Sequence, residues 1–179
     1  MMNIMVEYYN GGIKLSFLKK IVEICKKYNR VALFVDMDGT VAEYRIFPKN
    51  YITVETKGLF LESKPLFSVI EVLEKLSQIE NLDIYILSLS RSKIIVEEKK
   101  IWLKKYMPFI NEDKYIIVCR ETGEYNYDNR EYIKSQKMKE KLEKYDFLIF
   151  LDDEHNILRR AQEELGDRGE VFHVSSVMV

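Results

Sequence analysis

The sequence is poor in the residues that make cross-links and linkers. It holds two cysteines in 179 residues, Cys25 and Cys119, each inside an apolar periodic segment with neither CxxC spacing nor a histidine cluster nearby. That argues against a disulfide or thiolate metal site and for buried free thiols, the usual state in a reducing compartment. Three prolines and the lack of any Ser-rich tract, low-complexity stretch or internal repeat leave nothing to divide the chain. No apolar run approaches the ~20 residues of a membrane span, and the opening MMNIMVEYYNGG lacks the basic-then-apolar order of a secretory leader. A cytoplasmic protein with no membrane partner is expected. Charge of one sign is also missing: 28 Lys and Arg stand against 29 Asp and Glu. A long nucleic acid, held by counterion release to a basic surface, is therefore not an expected partner. A small anionic substrate would be held by a few placed groups.

What is present is a rhythm. At roughly 100–200 residues per domain the length fits one domain, and short β-rich apolar runs alternate with segments of helical period. That alternation predicts βαβ units and a mostly parallel sheet. Five runs qualify as strands: Val31–Asp36, Asp83–Ser88, Tyr115–Cys119, Phe147–Asp152 and Glu170–Val174. Helices are expected over Pro65–Ile79, Ser92–Tyr106, Ser135–Lys144 and Asn156–Leu165, with a further amphipathic helix over about 13–28. The stretch from about 42 to 64 breaks the rhythm and reads as a small cap-like insertion over the strand ends. In open α/β sheets ligands bind outside the carboxyl ends of the strands, so chemistry is sought there.

Strand one ends in Asp36-Met37-Asp38-Gly39-Thr40, with Gly39 permitting a turn as the chain leaves the sheet. A carboxylate there can attack phosphorus and form an aspartyl-phosphate, splitting one hard displacement into two. Asp38 can protonate the leaving oxygen and later activate water. An Asp-Gly turn after a strand also occurs for purely structural reasons. Strand four ends in Asp152-Asp153, and parallel strands bring this pair toward Asp36 and Asp38. Carboxylates converging in that way repel one another unless a cation is present, and a hard-oxygen set completed by water and phosphate suits Mg²⁺.

Strand two ends in Ser88, and the hydroxyl together with the Leu89 backbone near a helix start offers a phosphate seat, although serine there is commonly just a cap. Among the five lysines from Lys134 to Lys144, Lys137 is favoured as the phosphate-neutralising one, with Lys134 as the alternative.

DxDGT (Asp36 to Thr40), a serine after an apolar strand (Ser88), a lysine before the fourth strand (Lys137) and a DD pair at its end (Asp152, Asp153) resemble the four motifs of the haloacid dehalogenase superfamily, over roughly Val31 to Val174. The resemblance implies a Rossmann-like three-layer α/β/α sandwich and a Mg²⁺-dependent phosphohydrolase. It also implies roles: Asp36 as nucleophile and metal ligand, Asp38 as general acid/base whose carbonyl binds the metal, Asp152 and Asp153 as metal ligands, and Ser88, Leu89 and Lys137 as phosphate binders. Carboxylates at both 36 and 38 favour phosphatase over dehalogenase chemistry in that family. The stretch Val96 to Leu103, with Met107-Pro108-Phe109 and Ile116-Ile117-Val118, is similar to 5′(3′)-deoxyribonucleotidases, which implies a nucleoside monophosphate substrate. The polar passage Arg120 to Arg130 is longer than in that subfamily.

In the insertion, Tyr44, Arg45, Phe47 and Tyr51 are of types that stack on a base or pair with phosphate, and equally of types that form a small local core. Trp102 is expected as a core anchor, and His155 and His173 as structural, hydrogen-bonded histidines.

Overall fold

The computed structural model describes residues 17–44 and 57–177. Five strands form a single sheet: β1 (Val31–Val35), β2 (Leu82–Ser90), β3 (Tyr115–Cys119), β4 (Phe147–Asp152) and β5 (Gly169–His173). Their order across the sheet is β3-β2-β1-β4-β5 and every pairing is parallel. The α-helices among the described residues are α1 (Phe17–Lys27), α2 (Phe67–Leu76), α3 (Lys93–Tyr106), α4 (Arg130–Lys139) and α5 (His155–Leu165). Among the described residues no helix is long and apolar enough to cross a membrane.

The layers follow from strand alternation. Val31, Leu33 and Val35 of β1, with Phe147, Ile149 and Leu151 of β4, face a core built by α1, α2 and α3. Ala32 and Phe34, with Leu148 and Phe150, face the opposite side, where Met138 of α4 and Ile157, Leu158, Ala161 and Leu165 of α5 cover them. All of β1 and β4 is buried. Continuous apolar runs such as VALFV are what a parallel strand covered on both faces requires, and each large side chain so buried contributes about 1.5–3 kcal/mol. The expected α/β/α sandwich is present.

The strand runs lie where the sequence predicts them, with two shifts that matter. β2 continues two residues past Ser88, so Ser88 and Leu89 pair with Ile117 and Val118 of β3 instead of lying beyond the sheet. The fourth predicted helix, expected from Ser135, begins at Arg130. Its start is fixed by two asparagines: the Asn126 side chain accepts from the amides of Asp128 and Asn129, while the Asn129 side chain accepts from the amide of Asn126. Side-chain bonds of this kind end a loop and launch a helix. Cys25 and Cys119 are buried and unpaired, and burial lifts the Cys25 thiol to about 11.

Of the predicted insertion, the described part is its two roots. The Trp102 indole donates to the Ser63 carbonyl at 2.8 Å, and the buried Glu98 carboxylate accepts from the amides of Gly58 and Phe60. Arg45, Phe47 and Tyr51 lie outside the described residues, as does the start of the predicted first helix.

Candidate active site

Chain order places β1 between β2 and β4, so the sheet changes direction beside β1, and the carboxyl ends of β1 and β4 flank the crevice. Asp36 directly follows β1 and its amide donates to the Leu151 carbonyl of β4 at 2.9 Å. That bond sets Asp36 level with Asp152, the last residue of β4. After Asp36 the chain folds into a tight turn in which the amides of Thr40, Val41 and Ala42 all point at the Met37 carbonyl.

Potential ligand oxygens of Asp36, Asp152 and Asp153 lie within 4.8 Å of one another. Lys134 reaches into this cluster from α4, its Nζ 2.6 Å from Asp36 Oδ1 and 2.6 Å from Asp152 Oδ2. Both Lys134 and its two partners are almost wholly buried. Burial disfavours the lysine's charge, yet the two carboxylates outweigh it and hold Lys134 above its ordinary value. Burial pushes Asp36 up to about 6 against the pull of Lys134, with Asp152 and Asp38 adding repulsion. Asp153 is likewise lifted to about 6, first by burial and then by Asp36 and Glu154.

The electrostatics therefore describe a deficit. Three carboxylates face one ammonium, and full ionisation leaves two negative charges unmatched, the amount a divalent cation neutralises. Three clustered carboxylate side chains with room for water and phosphate ligands also match the donor set of a hard divalent ion. The residues present fit such an ion.

Of the two lysines the sequence offers, Lys134 reaches the carboxylate cluster and Lys137 does not. Lys137 lies on the outward side of α4, paired with Glu140 at 2.9 Å, while Lys134 shares the inward face with Ile133 and Met138. Because α4 starts at Arg130 instead of Ser135, Lys134 lies within the helix and not before it. The signal that could have found it is Asn126 to Asn129, a turn-forming cluster just upstream of a helical stretch.

Asp38 stands beside the carboxylate cluster rather than in it. Its carboxylate accepts from Lys99 Nζ at 2.5 Å, and the same ammonium donates to Ser88 Oγ and to the Leu89 carbonyl, both at 2.8 Å. Sequence reading did not single out Lys99 as a site residue. The available signal was its position in α3: it falls four residues after Ile95 and three before Trp102, inside the apolar stripe, where an unpaired lysine has no business. Arg130 was also missed. It grips Glu154 with both arms of its guanidinium, one at 2.7 Å, tying the start of α4 to the loop after β4.

Asp36, Asp38, Lys99 and Lys134 line a cavity of about 540 Å³ whose mouth carries Tyr44 and Tyr127. Tyr44 is 64% and Tyr127 79% exposed, and the Arg120 guanidinium lies 4.7 Å from the Tyr127 ring centre. Trp102 is a buried anchor, as expected. His173 donates from Nε2 to the Asp153 carbonyl, accepts at Nδ1 from the Ser175 amide, and stacks on His155, rings 4.6 Å apart. Both are hydrogen-bonding or packing partners at the edge of the acidic cluster.

Fold and site together define a class: an open parallel α/β domain with its carboxylates gathered at the switch point. Solved structures agree on that fold. The chain is similar to one in the structure of the Pnkp1/Rnl/Hen1 complex, with 21% identity and a TM-score of 0.57 over 80% of this chain, and it spans 46% of that longer chain. It is also similar to the HAD domain of the effector protein Lem4 from Legionella pneumophila, at 17% identity and a TM-score of 0.52, covering 81% of this chain and 87% of that one. No protein-family model and no curated protein matches the sequence.

Proposed function

We propose that this chain is a Mg²⁺-dependent phosphomonoesterase that works through an aspartyl-phosphate on Asp36. The observation that carries the reading is Lys134 bridging Asp36 and Asp152 inside a cluster still short of two positive charges. Nucleophile, counter-ion and candidate cation ligands thus meet at one sheet edge.

Asp36, Asp152 and Asp153 would hold the ion. When bound it supplies charge neutralisation, allowing an anionic phosphoryl group to approach an anionic nucleophile. One Asp36 oxygen then attacks phosphorus while the bond from phosphorus to the leaving oxygen breaks, and Asp38 delivers its proton to that oxygen. The products are an alcohol and the acyl phosphate of Asp36. In the second half water attacks the same phosphorus, gives its proton to Asp38 and displaces the Asp36 carboxylate, releasing inorganic phosphate. In this reading Lys134 balances charge spread over the phosphoryl oxygens.

Nucleoside monophosphates are the substrates we infer. The support is a cavity mouth carrying the exposed Tyr44 and Tyr127 rings with Arg120 over one of them, surfaces on which a base stacks. The test is turnover of an aryl phosphate and a panel of phosphate monoesters with Mg²⁺. Hydrolysis lost in Asp36→Asn is expected, together with preference for nucleotides over sugar phosphates. Absence of hydrolysis by the wild type, or full activity in Asp36→Asn, overturns the phosphatase; the opposite substrate preference overturns the nucleotide assignment alone.

A further inference from the structure

We infer that Lys99 is the positioning residue for the general acid: it selects which oxygen of Asp38 carries the transferable proton. The inference rests on the phosphatase reading above and deepens it.

Lys99 is 1% exposed, and an ammonium has three protons to place. All three have acceptors: Asp38 Oδ2, Ser88 Oγ and the Leu89 carbonyl. Two of these belong to β2 and are fixed by the sheet. The third belongs to the turn after β1. Lys99 therefore transfers the rigidity of β2 to a side chain that otherwise has little to hold it: among the described residues Lys99 is the sole hydrogen-bond partner of the Asp38 carboxylate, which is 41% exposed. The ammonium also lies 4.9 Å from the Phe60 ring centre, and Phe60 packs edge-on against Trp102 one turn along α3. The neighbouring Glu98 fixes the Phe60 amide at 2.9 Å.

The consequence for chemistry concerns one atom. The carbonyl oxygen of a carboxylic acid accepts more strongly than its hydroxyl oxygen, so a donor seated on Oδ2 favours the protonated Asp38 that carries its hydrogen on Oδ1 and keeps accepting from Lys99 through Oδ2. The proton that passes to the leaving oxygen then starts from the same place. Holding a catalytic group within a narrow range of its productive geometry is worth large rate factors, and a long, partly solvated side chain does not achieve it unaided. Lys134 cannot substitute, being committed to Asp36 and Asp152.

A leaving-group series separates this role from a merely structural one. kcat/KM reports the steps up to the phosphoenzyme, where Asp38 acts as acid, and proton donation matters most when the departing alcohol is a poor leaving group. Wild type, Lys99→Met and Lys99→Arg would be compared on 4-nitrophenyl phosphate and on alkyl phosphates. The expected result is that Lys99→Met loses a large part of the ~10²–10⁴-fold worth of general acid catalysis on alkyl phosphates and far less on the nitrophenyl ester. Lys99→Arg should recover part of the difference. In an Asp38→Asn background Lys99→Met should add almost nothing, because the two substitutions remove one effect. Equal losses on both ester classes, or additive losses with Asp38→Asn, would overturn the inference while leaving the phosphatase reading standing. A wild type that hydrolyses no ester would instead remove the reading itself. Should Lys99→Met fold poorly, the Lys99→Arg variant alone decides, since an unaltered dependence on the leaving group combined with a uniform loss defeats the role.

Discussion

A Cβ built on Gly39 would lie 2.2 Å from Oδ2 of Asp153, so the turn after β1 and the acid after β4 can approach as they do because position 39 has no side chain. Gly39 also has φ of +77°, a conformation that costs another residue about 1–2 kcal/mol. Gly39→Ala is therefore expected to lower stability by more than that backbone strain alone and to push Asp153 out of the carboxylate cluster. Thermal unfolding with and without Mg²⁺ checks both effects. A variant whose stabilisation by Mg²⁺ equals that of the wild type would show that the close approach does not matter to the ion.

Lys134→Met and Lys137→Met should behave as opposites. Removing Lys134 leaves Asp36 and Asp152 buried without their ammonium, a change of the type that costs about 3–5 kcal/mol, and activity should fall with it. Removing Lys137 breaks an outward-facing pair with Glu140 and should shift stability by less than about 0.5 kcal/mol. Denaturant titration and ester hydrolysis of the two variants distinguish them, and a larger defect in Lys137→Met contradicts the assignment.

Metal-free stability should carry a specific pH signature from Asp153. Its carboxyl is lifted to about 6, against roughly 3.9 in an unfolded chain. Between those values the folded state binds more protons than the unfolded one, so this group's contribution falls as pH rises from about 4 to about 6. Glu154, held low by its hydrogen bond to Arg130, tilts the curve the other way. The relevant quantity is thus the difference between wild type and Asp153→Asn. Without divalent ions the wild type should lose stability relative to the variant across that window, and Mg²⁺ should shrink the loss by competing with protons for the carboxylates. Parallel pH profiles for the two proteins would exclude the effect.

Glu98→Ala should loosen the C-terminal root of the insertion. It leaves the amides of Gly58 and Phe60 without their acceptor, at about 1–3 kcal/mol for a buried group left unpaired. Hydrogen exchange at the Phe60 amide is the direct readout. Unchanged protection would mean that Glu98 does not hold this segment in place.

The strands were legible because their information is local. VALFV and FLIFLD are continuous apolar runs, and a strand covered on both faces needs little else. The carboxylates were legible for a related reason: Asp36 and Asp152 each sit where such a run stops, so register alone brings them together. Lys134 and Lys99 were harder. Five lysines crowd the segment from 134 to 144, and which one turns inward depends on how α4 packs against the sheet. Lys99 looks like any solvent lysine until the apolar stripe through Ile95 and Trp102 is laid against the sheet.

By itself, then, the sequence determined the order of strands and helices and the gathering of acids at one sheet edge, since both depend on hydrophobic period and on where apolar runs end. Only the tertiary structure decided which cations balance those acids and how closely Gly39 lets Asp153 approach. Those outcomes rest on contacts between distant positions, 98 residues apart for Lys134 and Asp36, and such pairs become visible only when helix phase and sheet register are both fixed.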